Sequence, residues 1–333
     1  MDMSRNLPPL FSAQPDARQL FRVQVPPAAV GQRLDQYLSQ AIPGLSRTRA
    51  RKIVDLGGVH LNGRRVRTCS QSLPVGASIE IYTDGFPLEP FRLTESHILY
   101  RDSFLLVLNK PAGIETQPTP ARYKGTIYEA LLFLLGRGGG TRKPEVGMVQ
   151  RLDRGTSGLM VFSLHPKAHG GLSRIFLEHK VKKRYLALVA SPPSPPAGEI
   201  RSLLARKHKT NKMVSVERGG KLAITRYQTQ NSAASGALLE IELLTGRSHQ
   251  IRAHLSEAGS PLLGDSFYGG AVQHLGLELT RPMLHAFSLE FTHPITQEPL
   301  NFTLPLTDDM EQLRLRMFAN GATLKKNCER KIC

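Results

Sequence analysis

Between residues 98 and 294 the chain returns again and again to short apolar runs of strand length: FLLVLNK, GLMVFSL, RYLALVA, AITRYQTQ, ALLEIELL and FSLEFTH. Runs of about four to eight residues rich in Val, Ile, Leu and Phe and bounded by turn residues suit strands and are too short for self-supporting helices. Two segments break the pattern. KAHGGLSRIFLEHK (167–180) and HQIRAHLSEAG, closed by Gly259, have helical spacing. A block this rich in strands and poor in helices cannot wind as alternating βαβ units, so it predicts an α+β fold with a large, mixed, mainly antiparallel sheet. TDDMEQLRLRMF (307–318) closes the block as a helix, with Thr307 as its cap, acids in its first turn and arginines in its last. We place this domain at 99–320.

A smaller unit precedes it, over residues 21–84, and the Pro-rich stretch at 85–98 links the two. Leu34, Tyr37, Leu38 and Ile42 recur at helical spacing and stop at Pro43-Gly44. Ser46 caps a second helix carrying Ala50, Ile53 and Val54, which ends at Gly57-Gly58. VHLNGRRV then offers the Asn-Gly of a tight hairpin, and ASIEIY alternates like a half-buried strand. Residues 1–20 have prolines and charges where a signal peptide needs an unbroken apolar stretch, so they read as a flexible tail, as do residues 321–333.

The balance of charge narrows the partner. With 44 Lys and Arg against 27 Asp and Glu, the formal charge is +17, which favours a polyanion, nucleic acid before an anionic membrane. No run approaches the roughly 18 apolar residues that a membrane-spanning helix needs. Cys69, Cys328 and Cys333 are too scattered for a disulfide framework or a zinc site, so a reducing cytoplasm, no metal and a monomer are expected. GRGGGTRKP (136–144) resembles a phosphate loop but lacks Gly-Lys-Ser/Thr, and Pro144 stands where a helix should begin, so no nucleotide cofactor is expected. GTSGL (155–159) places its second glycine one residue too early for a nucleophile elbow. His165 and His169 read as residues of a helix start, and His249 and His254 are five apart, the wrong spacing for a zinc-protease pair.

Two features remain. Arg47, Arg49, Arg51 and Lys52 open the second helix of the small unit, and Arg64, Arg65 and Arg67 flank its hairpin, a clustering suited to phosphate contact. In the large domain, where acids are scarce, Asp153 stands between Arg151 and Arg154 ahead of a Gly-Thr-Ser-Gly turn. It reads either as a surface ion pair in a turn or as a carboxylate held ionised for nucleophilic attack.

SRTRARKIVDLGGVHLNG resembles the S4 RNA-binding domain, and the likeness implies RNA contacts by Arg47, Arg49, Lys52, Asn62 and Arg64. RLDRGTSG resembles the signature of the RluA family of RNA pseudouridine synthases. FLLVLNKPAG (104–113), KKRYLALV (182–189), LLTGRSHQIRAHLSEAGSPLLGDSFYGG (243–270) and RPMLHAFSLEFTHP (281–294) resemble further family motifs in the same order. The resemblance covers about 100–295 and departs at Gln150, where the family usually has histidine.

It implies isomerisation of uridine to pseudouridine in RNA without a cofactor, with an S4 domain in front as in members that act on large-subunit ribosomal RNA. Asp153 becomes the catalytic carboxylate and Arg252 its partner. Tyr185 stacks on the flipped uracil and can serve as general base. Arg151, Gln150, Arg247 and His249 become RNA contacts, and Lys180, Lys182, Lys183, Arg184, Arg206, Lys207, Lys209 and Lys212 an RNA track. A tRNA-directed enzyme and an inactive RNA-binding or ribosome-assembly protein are the alternatives. A preribosomal particle is a possible form of the RNA substrate.

Overall fold

The computed structural model describes residues 18–136 and 144–319. Most of the N-terminal tail, the glycine-rich loop at 137–143, the C-terminal tail and Cys328 and Cys333 lie outside the described residues. The chain divides into two compact units, Met1–Thr94 with Ile114–Pro144, and Glu95–Gly113 with Glu145–Cys333. Elements are numbered in chain order.

The first unit holds β1 (Gln19–Gln24), α1 (Leu34–Ala41), α2 (Arg47–Leu56), β2 (Val59–Leu61), β3 (Arg64–Val66), β4 (Ser78–Thr83) and α3 (Ile127–Gly136). Its sheet runs β1-β4-β2-β3, and Leu34, Leu38, Ile53, Val54, Ile79 and Ile81 form its core. Ser46 caps α2 by accepting from the Arg49 amide at 3.2 Å, and Gly57 ends it at φ 89°. Asn62 and Gly63, both at positive φ (49° and 73°), make the two-residue turn between β2 and β3.

The sequence reading assigned residues 99–320 to the large domain, whereas the structure packs residues 114–136 of that span in the first unit. Arg122 reaches back to Asp84 with two bonds of 2.9 and 3.2 Å, and the Tyr123 amide donates to the Leu56 carbonyl. Helix α3, apolar on nearly every side, was not expected from the sequence.

The second unit holds β5 (Ile98–Arg101), β6 (Leu105–Lys110), β7 (Gly147–Met148), β8 (Ser157–Ser163), α4 (Pro166–Leu177), β9 (Lys182–Val189), β10 (Ala197–Arg206), β11 (Met213–Val216), β12 (Lys221–Ala233), β13 (Gly236–Leu243), α5 (Gln250–Glu257), β14 (Gln273–His274), β15 (Leu277–Glu278), β16 (Leu284–Thr292), β17 (Pro299–Thr303) and α6 (Asp308–Phe318). One sheet runs β11-β10-β12-β13-β9-β16-β8-β6-β5, with β17 paired to β16 and β7 to β8. Every pairing is antiparallel except β16 with β8. At that crossing Gly158 lies so close to Ala286 that a Cβ would sit 2.2 Å from its carbonyl oxygen, which only glycine tolerates.

All six strand-like runs are strands, while β10 and the edge strand β11 had not been singled out. His165 caps α4, its ring accepting from the Lys167 amide at 3.1 Å. Thr307 occupies the cap position of α6, but its hydroxyl accepts from Arg281 at 2.8 Å instead of capping the helix.

Candidate active site

The turn from Arg151 to Thr156 leads into β8, and its backbone is fixed from beneath. Lys110, at the end of β6, is completely buried, and its ammonium donates to the carbonyls of Pro111, Arg154 and Thr156 at 3.0, 3.1 and 2.8 Å. An ammonium without water is tolerable only when its donors are all satisfied, and three carbonyls match three N–H groups. Arg154 turns away from Asp153, its Nε donating to the Gly113 carbonyl at 2.8 Å, and Arg281 donates to the Gly155 carbonyl at 3.2 Å.

The carboxylate of Asp153 is therefore not paired with either neighbour in the turn. It accepts from Arg252 Nη1 at 3.2 Å, across 99 positions of sequence, and 26% of its side chain stays exposed. Arg252 is itself gripped by Asp265, which accepts from Nε and Nη2 at 2.6 and 2.7 Å. Burial works against the guanidinium's charge, but Asp265 and then Asp153 outweigh it, so Arg252 is a fixed cation.

Helix α5 carries Arg252 to this place, and polar bonds hold it there. The Gln250 amide accepts from the Thr245 hydroxyl (2.8 Å) and the Arg247 amide (3.0 Å), and donates to the Ile224 carbonyl and the Thr225 hydroxyl. His254, one turn on, bonds Thr225 and Ser202. His249 precedes the helix in left-handed backbone (φ 51°), its Nδ1 3.1 Å from the Tyr268 hydroxyl and its Nε2 3.9 Å from Asp153. Burial holds its imidazole below the ordinary range, so it stands neutral beside the carboxylate at neutral pH.

Tyr185, on β9 opposite Ile241 and Ala286, faces the same pocket and is 6% exposed. Burial, and then the charge of Asp153, push its phenol above the usual value. Its surroundings thus withhold the help that a general base requires, and what they favour is a neutral ring. The pocket, of about 50 Å³, is lined by Arg151, Asp153, Tyr185, Arg247, His249 and Arg252, with Leu243, Ile251 and Leu284 as apolar wall. At its rim the Arg151 guanidinium donates to the Ser248 hydroxyl at 3.3 Å.

Six of the residues nominated from the sequence thus converge. Gln150 does not line the pocket; its amide reaches the Leu159 carbonyl at 3.5 Å. The proposed track is divided by strand alternation. Lys182 and Arg184 lie on the opposite face of β9 and pair with Glu290, whereas Lys183 shares the face of Tyr185. In the first unit Arg47 bonds Asp35 at 3.1 Å, Lys52 pairs with Glu89 at 2.7 Å, and the Asn62 carbonyl oxygen accepts from the Ser78 amide. Arg49 is half-buried and Arg64 exposed. Sequence reasoning missed Lys110, Asp265, Gln250 and Arg281 as positioning residues. The signal was present: each is a charged or amide side chain inside one of the quoted motifs.

Residues 104–257 match the family described as RNA pseudouridylate synthase, and residues 32–79 match the S4 domain. A protein of Zymomonas mobilis named ribosomal large subunit pseudouridine synthase D is 35% identical over 87% of this chain and 96% of its own length. An uncharacterized RNA pseudouridine synthase of Chloroflexus aurantiacus is 36% identical over 90% of this chain and 94% of its own. Among solved structures, human RNA pseudouridylate synthase domain containing 4 is 29% identical and superposes with a TM-score of 0.56, covering 67% of this chain and 93% of that one.

Proposed function

The chain belongs to the RNA pseudouridylate synthase family and is an RNA pseudouridine synthase, and from that premise we propose that it modifies large-subunit ribosomal RNA with Asp153 as the catalytic carboxylate. The reaction breaks the bond between N1 of uracil and C1′ of ribose and joins C1′ to C5; a proton leaves C5 and N1 ends protonated. Nothing is oxidised or hydrolysed, so a nucleophile, a proton acceptor and an RNA platform suffice. The observation that carries the reading is the chain Asp265–Arg252–Asp153, in which a buried, clamped guanidinium aims a partly exposed carboxylate into the pocket. Asp153 acts as nucleophile or electrostatic stabiliser at the sugar or the ring. Tyr185 stacks on the extruded base, and Arg151 fills the space it leaves, offsetting an unstacking cost of a few kcal/mol. The ribosomal assignment rests on the named relatives and on the S4 domain.

The test is carbodiimide mapping of unmodified ribosomal and transfer RNA incubated with the protein or with Asp153→Ala. Reverse-transcription stops in large-subunit RNA that vanish with the variant are expected. Stops that persist with the variant remove Asp153 from the chemistry, and Asp153-dependent stops in transfer RNA move the substrate.

A further inference from the structure

Phe267 is the only exposed phenylalanine among the described residues of the second unit, at 38%, and it lies within one residue of the pocket wall's support. It sits in a single 3-10 turn, Ser266–Tyr268, that begins at Asp265, the residue clamping Arg252. That turn has little freedom. The Gly264 amide donates to Ala271 and the Gly270 amide to Asp265, and a Cβ on Gly264 or Gly270 would lie 1.9 or 1.8 Å from a backbone carbonyl. The turn therefore fixes the backbone from which the partly exposed Phe267 ring projects, while its neighbour Tyr268 is buried.

The surroundings of the ring match one kind of ligand. His249 meets it edge-on at 5.9 Å, and the Arg252 guanidinium and the Lys212 ammonium lie 5.8 and 5.5 Å from its centroid. Lys212 ends the hairpin segment Arg206–Lys212, RKHKTNK, which has four Lys or Arg and no acid. A partly exposed aromatic ring with two cations at 5.5 and 5.8 Å from its centroid, one of them the Arg252 that bonds Asp153, combines a stacking surface with phosphate neutralisation. We propose that Phe267 is the platform on which an unpaired nucleobase neighbouring the modified uridine stacks, with Lys212 neutralising that nucleotide's phosphate. This rests on the RNA pseudouridine synthase reading and deepens it: the target base enters the pocket, while its neighbour is held outside.

The chain contains no tryptophan, so Phe267→Trp introduces a single reporter. The probe is the RNA in which carbodiimide mapping finds Asp153-dependent pseudouridine, end-labelled so that fluorescence anisotropy reads binding independently. Quenching of the tryptophan on binding is expected. Phe267→Leu, which keeps bulk without a π face, weakens affinity about tenfold, whereas Phe267→Tyr stays within about twofold. Binding by anisotropy without quenching, or equal affinity for the leucine and tyrosine variants, overturns the platform and leaves the enzyme assignment standing. Wild-type protein that neither binds nor modifies RNA overturns the functional reading, and the platform falls with it.

Discussion

The two faces of the sheet formed by β10, β12, β13, β9 and β16 use their charged residues, and those of the loops beside them, in opposite ways. On one face Glu199 bonds Arg201 and Arg226, Arg226 lies 3.7 Å from Glu242, and Arg184 joins Glu240 to Glu290. A groove of about 350 Å³ opens there, lined by Glu199, Arg226, Glu240 and Glu242. On the other face is the pocket of about 50 Å³, where Arg151 and Arg247 spend hydrogen bonds on a hydroxyl and a carbonyl, not on carboxylates. The larger cavity has its charges cancelled, and the smaller retains a positive rim around Asp153. What distinguishes the face proposed for RNA is uncompensated charge, and a chain-wide +17 does not reveal where that lies.

The most severe way to separate the faces is to delete one carboxylate from each. Asp153→Ala is expected to slow single-turnover isomerisation about a thousandfold or more, and Glu242→Ala less than about twofold; comparable losses would erase the distinction. Stability tests it next. Asp265→Asn leaves the buried Arg252 without its clamp and is expected to cost about 3 kcal/mol in urea unfolding, while Arg226→Ala, in a solvent-screened pair, leaves the midpoint in place.

RNA affinity sharpens the contrast further. Arg247→Ala is expected to weaken binding about tenfold and to reduce the slope of log affinity against log salt by about one, and Arg226→Ala to change neither. The smallest effect is that of pH. Burial, and then the nearby charge of Arg247, bring the Lys183 ammonium down to about 8. RNA affinity should therefore fall as pH rises through that value, by a few-fold, and the fall should shrink in Lys183→Met. The sign reverses for stability: from about 8 to the ordinary lysine value of 10.5 the unfolded chain holds the proton that the folded chain has released, so unfolding free energy rises with pH.

Much of the architecture was legible because it is encoded at short range. Period-two and apolar runs mark β6, β8, β9, β12, β13 and β16, a serine marks the start of α2, and Asn62-Gly63 marks a hairpin. The family motifs pointed to Asp153, Tyr185 and Arg252, which the structure brings to one pocket. The errors have a common origin. Arg184 was grouped with Lys183 because they are adjacent, although in a strand adjacent residues face opposite sides. Residues 114–136 were grouped with the strands around them, although Arg122 and Tyr123 find their partners, Asp84 and Leu56, in the first unit. Thr307 was given a capping bond that Arg281 takes from it.

The sequence by itself thus determined most of the strands, the starts of α2 and α4 to α6, the basic character and the motif that holds the proposed catalytic carboxylate. Only the tertiary structure decided which polar groups lose their water together: Lys110 beneath the turn, Asp265 behind Arg252, Arg281 against Gly155. Periodicity and capping depend on neighbours a turn or a strand away, whereas desolvation and charge pairing are set by contacts such as Arg252 with Asp153 or Arg281 with Gly155, 99 and 126 positions apart. No local pattern carries that information, because the energy of a buried charge belongs to the groups packed around it and not to its place in the chain.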